Sequence, residues 1–418
     1  MRPTWPLWAA IAWLTAAGAA SARPAQDAQR LGDPAPENFF NPDPTVTTAP
    51  DGDSVALVAH GRRLAIRRAA PGRAFGTVRL LPAGDGGAII ARGDDLTALA
   101  WTHGDRSRLD DGERCCDRLR AATLGGRMRE LSAPGSSVED VKVVVRGRRA
   151  AVAWQDGRGV RASTTSARGA RFGPPKTLGR PADQLLGVAL GAAGPHAFVL
   201  RDANVIDAWR SGGHAHHRSL GRFRPDRWAD RVTAAASPTG ALLLASTAPE
   251  NRRLGTRLLV AYRRPGGRLR RHVVRWRRPG TAEMAVTLSS SGDGLVAITQ
   301  PSRIVVRTVG DGGLGRAWTV RGLATRKTYP SDLALAMNAR GVGVLGALVG
   351  TAEAAGRERT RTIAWALAPG GRPLGRQVLS FARQTFVPEQ GITVTIDAAG
   401  RRRVAWAEDF GVFAVRLP

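Results

Sequence analysis

Cysteine, lysine and tyrosine are nearly missing from this 418-residue sequence, and each shortage closes off a class of chemistry. The two cysteines, Cys115 and Cys116, are adjacent in "RLDDGERCCD" (108–117). No disulfide framework and no paired zinc motif can be built from them. A vicinal disulfide between them is expected, because an exported protein meets oxidising conditions; it would close a small, strained ring. An interchain bridge or two buried thiols are the alternatives. Lysine occurs only at Lys142, Lys176 and Lys327, so arginine supplies nearly all of the 62 basic side chains, against 34 acidic ones. A formal charge of +28 would attract phosphate, acidic glycans or anionic lipid. The arginines are spread along the chain, however, and heavy use of Ala, Gly and Pro beside them matches a GC-rich codon bias. No helix-turn-helix, zinc finger or aromatic RNA-binding motif accompanies the charge, so nucleic acid is not an expected partner.

Long apolar runs are absent after residue 22. The first 22 residues, "MRPTWPLWAAIAWLTAAGAASA", have one positive charge at Arg2, an apolar stretch from Trp5 to Ala20, and small residues at Ala20 and Ala22. This reads as a secretory signal cleaved before Arg23. The run is short for the ~20 residues of a bilayer-spanning helix, and no lipobox cysteine follows it. The mature protein is expected to be secreted or extracytoplasmic, with no membrane span.

What the sequence has in quantity is a repeat. "VKVVVRGRRAAVAWQDGRGVRAST" (141–164) and "VTIDAAGRRRVAWAEDFGVFAVRL" (394–417) share an alternating run, a glycine turn, an arginine-rich stretch, "VAW", an acidic turn and another alternating run. Weaker copies lie between them. Alternation with Gly, Asp and Asn turns means short antiparallel strands joined by hairpins. Each unit holds four strands, a to d. The a–b turns are placed at Gly52, Gly93, Gly147, Gly194, Gly240, Gly294, Gly341 and Gly400. Third strands begin near Leu64, Leu119, Val160, Val205, Leu259, Val305, Ile363 and Val412. Spacings of about 40–60 residues match a propeller blade. The eighth unit ends at Pro418 after strand c, so the N-terminal segment 23–42 is expected to supply the missing strand around "PENFFNP" (36–42). The predicted fold is all-β: a single β-propeller over residues 43–418, with eight four-stranded blades, or seven as the alternative. Val152, Trp154, Val404 and Trp406 are expected in the interblade core.

The hairpin "RASTTSARGARFGPPKTLG" (161–179) adds a resemblance. With the repeat, it resembles the BNR-repeat, sialidase-like propellers of secreted bacterial proteins. The family's Asp box reads Ser-x-Asp-x-Gly-x-Thr-Trp on the c–d hairpin. Thr165, Ala167, Gly169, Arg171 and Phe172 occupy its positions, keeping the glycine and the aromatic but not the aspartate. Gly72 with Phe75, and Gly315 with Trp318, repeat the Gly-x-x-aromatic remnant. The resemblance implies a propeller with structural turns on the face away from any active site. Activity of the family's kind needs a tyrosine nucleophile with a carboxylate partner, a separate acid/base aspartate and three arginines on the substrate carboxylate. Only two tyrosines are present, and Tyr262 falls inside the strand "LLVAYRR". Tyr329, in "TRKTYPSD", is placed in a d–a loop near Asp332, and these two are the catalytic candidates. The family's early arginine motif has no match, and the family has fewer blades.

About one carboxylate per unit precedes strand a: Asp43, Asp85, Asp140, Asp183, Asp230, Glu283, Asp332 and Glu389. Strand a lines the central channel, so these would ring one mouth of it as a cation site or as anchors for a polar ligand. The plainer reading has each accepting backbone hydrogen bonds at a strand start. His214 and His216 in "SGGHAHHRSL" share one face of a strand, the geometry of a chelating pair, but a third ligand is not evident. A solvated hairpin tip is the simpler reading. Asp110, Asp111 and Glu113 do not follow the order of a calcium loop. No cofactor is expected. The expected function is an exported, monomeric, non-catalytic propeller that binds a glycan, cell-wall component or protein through its loop-bearing face. The alternative is a sialidase-like glycoside hydrolase using Tyr329 and Asp332.

Overall fold

The computed structural model describes residues 28–32, 45–60, 63–81, 88–105, 115–166, 171–224, 232–249, 256–276, 283–300, 303–320, 323, 328–352, 358–384, 391–408 and 411–418. Residues 1–22 lie outside them. The described elements are all strands, arranged as eight antiparallel sheets of four. In blade three the strands are Val138–Arg146, Arg149–Asp156, Gly159–Thr164 and Lys176–Gly179, paired in that order. Second strands such as Arg149–Asp156 and Gly294–Gln300 are buried along almost their whole length, since each face packs on a neighbouring blade. They therefore read as apolar runs rather than as clean alternations.

Innermost strands touch in chain order, and the last, Ile392–Ile396, meets the first, Thr45–Thr48, so the ring is closed. Each interface between blades has its own apolar cluster. Val152 and Trp154 pack between blades two and three; Val404 and Trp406 pack between seven and eight. Trp101 fills the same kind of place between blades one and two. Each such side chain contributes about 1.5–3 kcal/mol by leaving water.

An N-terminal strand completes blade eight, as expected, but from a different place. It is Gln29–Gly32, pairing antiparallel with Gly411–Leu417, whereas residues 36–42 lie outside the described residues. Leu31 is fully buried in the cluster shared with blade one. The Gln29 amide clips the next blade: it donates to the Phe75 carbonyl at 2.6 Å and accepts the Phe75 N–H at 2.7 Å. Gln155 makes the same double bond to Ala182 of blade four, at 2.7 and 3.2 Å.

The a–b turns fall at or beside the expected glycines. Gly240 (φ +99°) and Gly400 (φ +90°) adopt conformations that a side chain disfavours. In blade six the turn glycine is Gly292, and Gly294 opens the next strand. A polar residue three positions before the glycine closes several turns: Ser237 Oγ accepts the Ala241 N–H, and Asp397 Oδ1 accepts the Arg401 N–H. Asn338 also donates from Nδ2 to the Asp397 carbonyl at 2.9 Å, tying the turn of blade seven to that of blade eight. Of the Asp-box remnant, Thr165 bridges to Phe172, which is buried between blades two and three; residues 167–170 lie outside the described residues.

Candidate functional site

Two of the acidic side chains expected ahead of strand a serve as joints, and both lie within that strand rather than before it. Asp140, at φ +47° beside a bulge, accepts the Leu185 N–H of blade four at 3.2 Å. Asp332 accepts the Ile392 N–H of blade eight at 3.1 Å. Gln184 fills the corresponding role in blade four, donating to the Val232 carbonyl at 2.9 Å and accepting its N–H at 3.0 Å. Asp183 accepts the Asp202 N–H at 2.9 Å, which braces a turn where Asp202 and Ala203 both have positive φ without a glycine. Glu283 is exposed, and its backbone N–H donates to Thr299 Oγ1 at 2.9 Å. Asp43, Asp85, Asp230 and Glu389 lie outside the described residues. Among the described residues, no three His, Cys, Asp or Glu side chains are grouped to hold a metal ion.

Tyr262 is packed, as its strand implied. It is 5% exposed, and its hydroxyl donates to the Gly292 carbonyl of blade six at 2.9 Å. Burial, and after it the charges of Asp311 and Asp293, push the phenol above its ordinary pKa. That holds it as a donor, the reverse of an activated nucleophile. Tyr329 is not in a loop. It is the second residue of blade seven's innermost strand, Thr328–Met337, with its backbone opposite Gly350. The polar, Pro-containing "TYPSD" hides this strand because a register shift falls between Pro330 and Asp332 and breaks the alternation. The Tyr329 side chain lies outside the described residues. Cys115 and Cys116 open strand c of blade two, Cys115–Thr123; their side chains, and residues 106–114, also lie outside.

His214 and His216 share one face of blade four's outer strand, His214–Arg222. The ring beside His216 is Trp209. His196, Trp209 and His216 stack across three strands, with successive centroids 5.5 Å apart, so the indole separates the two imidazoles. On the same face Asp207, 2% exposed, meets His196 Nδ1 at 2.9 Å, Arg218 at 3.4 Å and Arg263 at 3.6 Å. Arg263 is 3% exposed, lies over Phe198 and donates to the Gly240 and Gly267 carbonyls. Burial lowers its pKa, with Asp207 acting in the opposite direction.

Several arginines also join blades. Arg146 donates to the Leu190 carbonyl at 2.7 Å, Arg270 to that of Asp311 at 2.7 Å, and Arg403 to that of Arg73 at 2.7 Å. Open space remains between blades. On the face of the a–b and c–d hairpins, a cleft of 610 Å³ separates blades six and seven. Asp293, Asp311, Arg340 and Met337 line it. Its floor includes Gly310 and Gly312, where an added Cβ would meet nothing within 4 Å. A cleft of 410 Å³ between blades one and two is lined by Arg68 and Arg79 of blade one and by Arg92, Asp94 and Asp95 of blade two. A groove of 210 Å³ between blades five and six lies towards the opposite face, where the d–a loops run. The d–a connections 131–137 and 180–183 are described, whereas residues 33–44, 82–87, 225–231, 277–282, 324–327 and 385–390 lie outside the described residues.

No family model matches the chain, and no curated protein matches it. Solved structures similar to it are propellers of low identity. Hsv2 from Kluyveromyces lactis is 11% identical with a TM-score of 0.45, over 82% of this chain and 100% of that one. The Dos1 propeller is 10% identical with a TM-score of 0.44, over 91% and 95%. The NanB sialidase from Streptococcus pneumoniae is 11% identical with a TM-score of 0.39, over 78% and 67%. The chain is a β-propeller. That rests on its own closed ring of eight four-stranded sheets, and the propeller's function has to be argued from its own residues. Among the described residues, no helix is long and apolar enough to cross a membrane.

Proposed function

We propose that this propeller is an exported, non-catalytic binding module for a glycan, a cell-wall component or a protein. The observation that carries the reading is how its reactive side chains are used. Tyr262, Asp140 and Asp332 bond one blade to the next, while the clefts between blades are lined by arginine, aspartate and bare backbone. Among the described residues the clefts offer donors and acceptors and no activated nucleophile, a set that can hold a polar ligand without turning it over. The cleft between blades six and seven suits this use: Asp293 and Asp311 accept, Arg340 donates, and Gly310 and Gly312 leave the backbone open. Export rests on the signal-like residues 1–22.

The test is an array of glycans and cell-wall fragments probed with the chain lacking residues 1–22. Retention of a ligand in unmodified form, weakened by Arg340→Ala, is the expected result. Chemical conversion of a retained ligand would overturn the reading.

A further inference from the structure

The groove between blades five and six differs from the other clefts in its charge. Arg275, Arg303 and Arg307 line it with Gln300, and among the described residues no acidic side chain does. Its floor is apolar, formed by Leu258, Val296 and Ile298 with Val305. Strand pairing explains the arrangement. In blade six, Arg307 stands opposite Val296, Val305 opposite Ile298, and Arg303 opposite Gln300, so these side chains share the face turned to blade five. Arg303, Val305 and Arg307 thus project in a row about 6.6 Å apart, two residues per step.

The two arginines on this strand are held differently from those that join blades. Arg303 Nε donates to Gln300 Oε1 at 2.6 Å, and Arg307 donates to the Gly315 carbonyl at 3.2 Å. Both partners are neutral and belong to the same blade. Among the described residues neither guanidinium meets a carboxylate, in a protein where Asp53, Glu130, Asp156, Asp207, Asp311 and Asp397 all do pair with arginine. Each is positioned by one neutral bond and keeps further donors for an anion.

Size limits what the groove takes. At 210 Å³ it is smaller than the ~300–1,000 Å³ that encloses a drug-sized ligand. It suits one inserted side chain. We propose that this groove anchors an acidic, extended segment of a partner protein, with an apolar side chain on Val305 and Ile298 and carboxylates two residues before and after it. An extended peptide repeats its side chains at the same spacing as the Arg303, Val305, Arg307 row, so both charges and the apolar contact register together. The proposal rests on the binding-module reading and names a partner for it. Sialoside cleavage would remove that reading without touching the peptide measurement below.

Fluorescence anisotropy tests it at constant salt, with fluorescein-labelled Glu-Ser-Leu-Ser-Glu and the full chain lacking only residues 1–22. Arg303→Gln/Arg307→Gln should bind at least about tenfold more weakly than wild type. Arg148→Gln/Arg158→Gln, which removes the same charge from turns of blade three, should bind as wild type does. Peptides with Gln for both Glu, or Ser for Leu, should each lose most of the affinity. Thermal midpoints of both double variants confirm folding before binding is read. Absence of binding by wild type, equal loss in the two double variants, or undiminished binding of the Ser-for-Leu peptide overturns the proposal. Heparin binding that needs Arg303 and Arg307 while the peptide fails would make the groove a polyanion site and overturn it as well.

Discussion

Asp207 shows how much a single side chain can decide. It is buried among His196, Arg218 and Arg263, and Arg263 is buried with it. Asp207→Asn keeps the shape but leaves Arg263 without a counter-charge, and should cost about 3 kcal/mol in chemical denaturation. Arg218→Gln removes a partner whose side chain is half exposed, and should cost under about 1 kcal/mol. Equal losses would show that Arg263 is not the group at stake. Tyr262 gives a second prediction. Tyr262→Phe leaves the Gly292 carbonyl without its donor and should cost about 1–2 kcal/mol. Its folded-state pKa lies above the ordinary 10.0, so the protonated phenol's contribution is fully present below pH 10.0. It is lost as pH rises from there through the folded value. Wild type should therefore lose more stability across that alkaline window than Tyr262→Phe, with one phenolate absorbance step delayed above 10.0 and absent from the variant.

Among the elements, the strand Gln29–Gly32 bears the largest consequence, since it alone completes blade eight. Leu31→Ala should cost about 2–5 kcal/mol by emptying a buried site. Deleting residues 23–32 should expose the edge of Gly411–Leu417, lower the unfolding midpoint and promote self-association on size exclusion. A monomer of unchanged midpoint would mean that closure does not depend on this strand. The sequence disclosed the need for the strand, because the eighth repeat ends one strand short, but not its position. An aromatic "PENFFNP" looks more like buried strand than "QRLG", whose hold on the ring is one leucine and a polar clip to Phe75. Turns were legible because glycine at Gly240 and Gly400 answers a backbone requirement that local sequence shows. Tyr329 was misplaced because Pro330 and the register shift after it break the alternation near the start of its strand. Asp140→Ala and Asp332→Ala test the joints: each should cost about 1–2 kcal/mol by removing a carboxylate that accepts a backbone N–H of the next blade.

At the scale of the whole molecule, an apolar cluster recurs at every interface of the ring, and at several of them a side-chain clip or an arginine reaching the next blade's carbonyl is added. This use accounts for part of the +28 charge without any ligand. The blade-four stack of His196, Trp209 and His216, and the arginine row over the groove of blade six, were beyond sequence reasoning. The stack's members come from three strands and meet only through register, and the row's arginines share one strand but take Gln300 and part of their apolar floor from the strand paired with it. His214 and His216 could be placed on one face from spacing alone; the tryptophan beside His216 could not. The central claim is that this propeller binds without catalysing, and a fluorogenic sialoside assay on the chain lacking residues 1–22, with Tyr329→Phe beside it, tests that most directly. The account predicts no turnover above background for either protein; turnover by the wild type that Tyr329→Phe abolishes would contradict it.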